Sequence, residues 1–137
     1  MQIGFKHSTD EWDRYITQVR KKFPDKVKLL VAKTTQDLSR GTKASVPVKY
    51  SGIRQSVKSV VKDYHGEVNI RAHYAPYVEF GTGRLVNVPS ELSNYAMQFK
   101  GKGVREVNRR AEPYFYPNYF IQRDKFFNQI EKALKDL

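Results

Sequence analysis

The first third of the chain alternates apolar and charged residues with the period of an α-helix. Ser8-Thr9-Asp10-Glu11 has the form of a capping box, followed by apolar residues at helical spacing. The same spacing resumes after Pro24, and Gly41 is a natural stop. These positions are Trp12, Tyr15, Ile16, Val19 and Phe23, then Val27, Leu30, Val31, Thr34 and Leu38. The pattern predicts helical structure over residues 8–40, as one bent helix or as two helices separated at Pro24.

From residue 43 the pattern changes to short extended segments. Pro47 and Gly52 predict an extended connection. Residues 56–62 are rich in valine, and residues 67–73 alternate polar with apolar side chains, which is typical of strands with one buried face. Asp63-Tyr64-His65-Gly66 lies between them and is rich in turn-forming residues. The sequence therefore predicts an antiparallel β-hairpin.

The rest of the sequence, from residue 74 onwards, predicts short elements and a final helix. Residues 74–80 predict one helical turn ending at Gly81, and residues 82–87 a loop or a further short strand. A helix opening at residues 89–91 and carrying Phe99 is broken by Lys100-Gly101-Lys102-Gly103, and residues 104–110 are extended. Apolar positions from Phe120 to Leu137 predict a helix over residues 118–136. We therefore expect a single α+β domain over residues 1–137, with a sheet and motif region at 44–117.

Composition excludes several classes of protein. The chain has 137 residues, of which 39% are hydrophobic and 13% aromatic, enough for one domain with its own core. It contains no cysteine, which excludes disulfides, a thiolate nucleophile and Cys-ligated metals, and fits folding in a reducing cytoplasm. No apolar run approaches the roughly 20 residues of a membrane helix. We expect neither a signal peptide nor contact with a membrane.

The formal net charge of +11 allows two interpretations. Clustered lysine and arginine favour contact with phosphate or with another acidic surface. The alternative is that the charge keeps the protein soluble. The basic residues are spread along the chain without a single basic arm, so the sequence leaves both interpretations open.

The sequence does not predict an active site. The three histidines His7, His65 and His73 form no i, i+4 metal pair, and the Gly81 and Gly101 regions lack the order of a P-loop. The carboxylates form no compact cluster typical of a magnesium-dependent nuclease, and no serine lies in a Gly-x-Ser-x-Gly elbow. We therefore expect no enzyme activity, no cofactor and no metal.

Three stretches are not explained by composition. They are Pro47-Val48-Lys49-Tyr50-Ser51-Gly52-Ile53-Arg54-Gln55-Ser56, Tyr74-Ala75-Pro76-Tyr77-Val78-Glu79-Phe80-Gly81-Thr82-Gly83 and Arg110-Ala111-Glu112-Pro113-Tyr114-Phe115-Tyr116-Pro117. The plain interpretation of the second stretch is a well-packed helix end. In that interpretation Tyr77 and Phe80 are in the core, and Glu79 caps a helix or is paired.

Together the three stretches resemble the siphophage head–tail connector family, also called neck or tail-completion proteins, in its lambdoid branch. That family has a Thr-Gly-x-Leu-Arg-x-Ser pattern, then Tyr-Ala-x-Tyr-Val-Glu-Phe-Gly-Thr, then a Pro-Phe-x-x-Pro box before a C-terminal helix. Here Ser51 and Ile53 replace the Thr and Leu of the first pattern, and the second matches almost fully from Tyr74 to Thr82. In the third, Tyr114 replaces the usual Phe. Order and spacing agree from about residue 25 to the end.

The resemblance implies a structural protein of the virion, assembled in the host bacterial cytoplasm and located between head and tail. Its copies would form a homo-oligomeric ring, hexameric or dodecameric, from subunits that can be monomeric in isolation, beside neighbouring connector and tail proteins. The implied motif and interface residues are Ser51, Gly52, Arg54, Ser56, Tyr74, Tyr77, Glu79, Phe80, Gly81, Thr82, Pro113, Phe115 and Pro117. Arg54, Lys58 and Arg71 are candidates for non-specific contact with duplex DNA in the neck channel, or for simple solvated charge.

Two other functions fit the sequence less well. A basic nucleic-acid-binding protein of a mobile element predicts tight, salt-sensitive binding of duplex DNA by the monomer. A toxin or nuclease of a mobile element lacks the expected acidic cluster. Portal, capsid and tail-tube genes nearby would favour the connector. The sequence leaves open whether the protein acts in head closure, in the neck or in tail termination.

Overall fold

A computed structural model describes residues 5–96 and 109–136. Five α-helices and two strands are present in this part of the chain, in an α+β arrangement as predicted. They are α1 (Phe5–Ser45), α2 (Ser51–Ser56), β1 (Val57–Lys62), β2 (His65–Ile70), α3 (Ala75–Phe80), α4 (Ser93–Ala96) and α5 (Tyr116–Lys135). Short 3-10 turns occupy Val48–Tyr50, Gly83–Leu85 and Ser90–Leu92.

Helix α1 resolves the alternatives that the sequence left open at Pro24. It is one continuous helix that contains this proline, and it already includes Phe5, ahead of the predicted start at Ser8. The predicted stop at Gly41 is wrong, because the helix continues to Ser45. Gly41 serves a close approach instead: a Cβ there would lie 2.7 Å from Oδ1 of Asn118 on α5. The predicted capping box at Ser8-Thr9-Asp10-Glu11 is also wrong, because these four residues lie within α1 and not at its start.

The predicted extended connection after α1 is also wrong. A 3-10 turn and the six-residue helix α2 occupy this segment. Their helical form turns Tyr50 and Ile53 inward, to 9% and 0% exposure. Burial of these two side chains therefore overrides the local preference that proline and glycine give to the segment.

The predicted hairpin is confirmed. β1 and β2 pair antiparallel from Val57↔Ile70 to Lys62↔His65, so β2 begins two residues before the predicted alternation. Cross-strand partners share a face, which places Val57, Gly66 and Ile70 on one side. That side packs on α1, since a Cβ at Gly66 would overlap the side chain of Thr35. The outward side carries Lys58.

The C-terminal half follows the predictions in its order of elements, with differences at the segment after α3 and at the start of α5. α3 ends at Gly81 as expected, and the segment after it forms an isolated bridge between Thr82 and Arg109. α5 begins at Tyr116 and includes Pro117, because proline is tolerated in the first turn of a helix. It packs along α1, where Asn118 donates to the Ser45 hydroxyl at 3.0 Å. The predicted positions 97–108, with Phe99 and the glycine break, lie outside the described residues.

Candidate functional site

The three stretches singled out in the sequence meet in one hydrophobic core. Ile53 from the first stretch, Val78 from the second and Tyr114 from the third are each at most 1% exposed. The remaining buried members of the cluster are Val46, Tyr50 and Ala75. Ile70 and Phe115 pack against it from the hairpin and from the start of α5. Segments that are distant in the sequence therefore form one packing unit, with the hairpin leading out of it.

Glu79 joins the second stretch to the third. Its side chain is 4% exposed, and its two carboxylate oxygens accept hydrogen bonds from three consecutive backbone N–H groups. These come from Tyr114 at 2.8 Å, Phe115 at 3.0 Å and Tyr116 at 2.6 Å. The first N–H groups of a helix have no partner within it, and its N-terminus carries partial positive charge. Glu79 therefore caps α5 from another helix.

The environment of Glu79 has two opposing effects on its ionisation. Burial raises the pKa of this carboxyl above its ordinary value of 4.5, and the three amides lower it and so offset part of the rise. Burial and the neighbouring Glu79 also raise the pKa of the Tyr114 phenol, whose hydroxyl donates to the Ala75 carbonyl at 3.0 Å. Since its oxygens face backbone amides, the Glu79 carboxylate acts as an anchor between segments.

Gly81 allows the chain to turn back towards the third stretch. It has φ +78°, and a Cβ there would lie 2.7 to 2.9 Å from backbone atoms of Arg109, Leu85 and Ala111. The Thr82 N–H donates to the Arg109 carbonyl at 2.9 Å, and the Glu112 N–H donates to the Val78 carbonyl at 2.8 Å. Glycine is thus required both by conformation and by space.

The first stretch contributes two further contacts. A Cβ at Gly52 would overlap the hydroxyl of Tyr74, so glycine lets the first and second stretches touch. Arg54 lies on α2, and its guanidinium reaches the end of α1, where it donates to the carbonyls of Lys43 at 3.1 Å and Val46 at 3.2 Å. A cation on these last carbonyls stabilises a helix end. The Arg54 side chain therefore links α2 to the end of α1 by hydrogen bonds within the chain.

The remaining motif residues divide between core and surface. Phe80 is 7% exposed, as predicted, and it also stacks on Tyr116. Tyr77 is 36% exposed, so its predicted place in the core is wrong. Ser56 donates to the Ile53 carbonyl at 2.7 Å. Pro113 is exposed, Phe115 is half-buried and Pro117 is in the first turn of α5.

A polar cluster that the sequence did not predict closes the other side of this core. Lys49 pairs with Glu112 at 2.9 Å, which raises the pKa of Lys49. Arg109 stacks over the ring of Tyr50 and donates to its hydroxyl. The only sequence signal was that Lys49, Tyr50 and Glu112 lie within the first and third stretches and that Arg109 directly precedes the third, which gives no indication of pairing.

A cavity of about 750 Å³ opens between the end of β2, α3 and the start of α5. Its lining is mostly apolar and includes Ile70, Ala72, Phe80, Leu92, Tyr95 and Phe115. His73, one of the three histidines that form no metal pair in the sequence, also lines it and contacts Tyr74 edge to face. The polar and apolar residues of the cavity come from five segments, so periodicity alone does not reveal it.

The basic candidates for DNA contact are only partly brought together. Lys58 and Arg71 are both exposed. Arg71 follows the last residue of β2 and lines the cavity, whereas Lys58 pairs with Asn69 on the outward side of the hairpin. Val60 and Lys62 share that outward side. The guanidinium of Arg54 is directed to the end of α1 instead, as described above.

Within residues 5–96 and 109–136, no group of three or more His, Cys, Asp or Glu side chains is arranged to hold a metal ion. Of the helices in the same ranges, none combines the length and the apolar character needed to cross a membrane. No family model, curated protein or solved structure gives a significant match to this chain.

Proposed function

We propose that this chain is a structural subunit of the head–tail joint of a tailed phage or prophage, acting in head–tail joining or tail completion. Copies associate head to tail in a ring between the portal side and the tail, and bind neighbouring connector and tail proteins. The site of action is the virion, with assembly in the host bacterial cytoplasm. The mechanism is binding, without a chemical step.

The observation that carries the proposal is the convergence of the three motif stretches. The residues of the resemblance include Gly52, Glu79 and Gly81, and each makes a contact that depends on a residue of another stretch or of the segment beside it. Motifs that match at mutually dependent positions are stronger support for a common fold than matches at independent surface positions. Their side chains are used for packing and capping, which fits a scaffold better than an active site.

Multivalency explains how such a subunit can work with weak contacts. Each contact between neighbouring copies is repeated round the ring, and the portal side or the tail tube templates the assembly. A subunit that is monomeric in dilute solution is therefore compatible with a ring in the particle.

The decisive experiment is electron microscopy of induced lysates in which this gene is disrupted and then supplied in trans. We expect filled heads beside unattached tails after disruption, and joined particles after complementation. Tails of abnormal length would place the protein in tail termination. Normal, infectious particles without the gene would refute the proposal.

A second candidate function is nucleic-acid binding by the isolated protein, which the outward side of the hairpin favours. Lys58 and Lys62 lie on that side, and Arg71 is exposed directly after the end of β2. A basic surface can hold a DNA backbone without reading its sequence. Duplex binding by the purified chain should fall steeply with salt if this surface acts alone. Lys58→Glu with Arg71→Glu should abolish it, whereas the exposed Lys125→Glu on α5 is the matched control.

Absence of binding would exclude the second function without affecting the first, because DNA in a neck is held inside a ring of many subunits. Tight binding by a monomer, together with normal particles after gene disruption, would favour the second function over the first.

A further inference from the structure

The first half of α1 carries an apolar face that the core does not cover. We name it the α1 stripe; it comprises Trp12, Tyr15, Ile16, Val19 and Phe23. Trp12 is 60% exposed, the other four members are half-buried, and between residues 10 and 30 no described side chain is fully buried. Burial in α1 begins at Val31, and the ion pair of Lys28 with Asp63 and the close approach of Gly41 to Asn118 both lie in its second half.

An uncovered helix of this kind needs a partner. The segment from residue 10 to residue 23 is about 20 Å long at 1.5 Å per residue, and isolated helices of this length are marginal in water. Apolar residues on one face of a helix are stabilised when they pack against another apolar surface. A group of partly exposed aromatic and aliphatic residues on one face of a helix, with no fully buried member, marks a candidate site of interaction.

The chain carries a second uncovered apolar face on α5. We name it the α5 stripe; it comprises Phe120, Phe127 and Leu134, which recur at heptad spacing. Phe127 is 61% exposed and Leu134 is 37% exposed, whereas Phe120 is half-buried and contacts the rings of Tyr116 and Tyr119. This face lies beside the one that buries Ala133 against the rest of the molecule. Its geometry is that of a helix ready to pack against another helix.

Charge complementarity indicates what covers these two faces. On α5, Asp124 and Glu131 lie one turn before and after Phe127, on the solvent side of the α5 stripe. On α1, Lys22 and Lys26 lie along one edge of the α1 stripe. The acidic residues contact cations of their own helix, Arg123 at 3.3 Å and Lys135 at 3.2 Å. Such exposed pairs are weak and rearrange at little cost.

We infer that the α1 stripe of one copy packs against the α5 stripe of the next copy. A single contact then covers both apolar faces and brings lysines opposite carboxylates. The contact joins two different patches, so it is heterologous and extends head to tail, closing into a ring if the rotation allows. The closure of these contacts into a ring rests on the proposed function. The contact between the two helices does not rest on it.

The size of the contact explains why it needs a ring. A standard stable interface uses about 20–30 residues on each side, and the two stripes with their flanking charges supply fewer. We therefore expect weak pairing of free subunits, strengthened when several contacts close a ring.

Disulfide capture tests the contact, because the chain has no cysteine of its own. Val19→Cys and Phe127→Cys variants, purified separately and mixed with oxidised glutathione, should give a cross-linked dimer containing one of each. Ile121→Cys is the control: Ile121 is 63% exposed on another side of α5 and should not cross-link to Val19→Cys. A chain with both Val19→Cys and Phe127→Cys should give a ladder that ends at the ring number.

Two outcomes would overturn the inference. Val19→Cys that cross-links to itself and not to Phe127→Cys would show that α1 pairs with α1. Absence of cross-linking at millimolar protein, with helix content unchanged by circular dichroism, would show that the faces do not meet. Failure of the proposed function looks different: cross-links form, yet particles lacking the gene are normal.

Discussion

Replacing Glu79 with alanine tests whether the motif stretches are held together as described. The substitution removes the acceptor for the amides of Tyr114, Phe115 and Tyr116, which Glu79 binds at 2.6 to 3.0 Å. Tyr114 N lies in the buried interior, whereas the other two amides are half-buried and can partly turn to water. The Ala variant should therefore lose the link between α3 and α5 without exposing the whole of α5.

The expected loss of stability in Glu79→Ala follows from the number of backbone N–H groups left without an acceptor. Each buried donor without an acceptor costs about 1–3 kcal/mol. The variant no longer buries a charged carboxylate, and this gain offsets part of the summed cost. We expect the free energy of unfolding to fall by about 3–5 kcal/mol, a large share of the roughly 5–15 kcal/mol typical of a domain. The melting temperature should fall by about 10–15 °C.

The assay is thermal and urea unfolding followed by circular dichroism. Glu79→Gln keeps one acceptor oxygen but turns an NH2 group towards an amide, so it should lose about 1–3 kcal/mol. Glu91→Ala is the matched control, because Glu91 is an exposed carboxylate paired with Arg123 at 2.9 Å; its unfolding curve should stay close to that of the unaltered chain. If the free energy of unfolding of Glu79→Ala is within about 1 kcal/mol of that of the unaltered chain, the capping role is refuted.

Three further predictions use the same unfolding assay. The pKa of Glu79 is raised in the folded state, so above pH 4.5 the folded chain holds a proton that the unfolded chain has lost. The free energy of unfolding, measured relative to Glu79→Gln, should therefore fall as pH rises through the folded pKa. A difference between the two chains that stays flat or rises with pH contradicts this. Gly81→Ala should cost about 2–4 kcal/mol, since φ is +78° and the Cβ meets backbone; an unchanged melting temperature contradicts this. Arg54→Ala should cost about 0.5–1.5 kcal/mol by freeing the carbonyls of Lys43 and Val46, with partial recovery in Arg54→Lys.

Periodicity was sufficient to predict the elements that bury one face. The helical spacing from Trp12 to Leu38 and the alternation around Val68 predicted α1 and the hairpin, because both periods place apolar side chains on one side. The turn at Gly81 was also predictable, since few residues other than glycine adopt positive φ. These features depend on residues close in the sequence.

Features that depend on distant residues were not predictable. Helix α2 forms because Ile53 is buried beside Tyr114, more than sixty residues later in the sequence, and nothing in its own composition predicts a helix. α1 continues past Gly41, where glycine leaves space for Asn118 of α5, which is 77 residues later in the sequence. A capping role was one of the two roles predicted for Glu79, but that the capped helix is α5 depends on contacts with distant residues, which spacing does not reveal.

The position of the motif residues determines how experiments on particles must be interpreted. Glu79, Gly81 and Arg54 make their contacts inside the chain, so a defect caused by replacing them reports loss of folding as readily as loss of a partner. The residues free to select a partner are the exposed ones, such as Lys58 and Phe127. A variant of Phe127 that unfolds normally yet leaves heads and tails unjoined would therefore be direct evidence for an interface, whereas the same defect in Glu79→Ala would not.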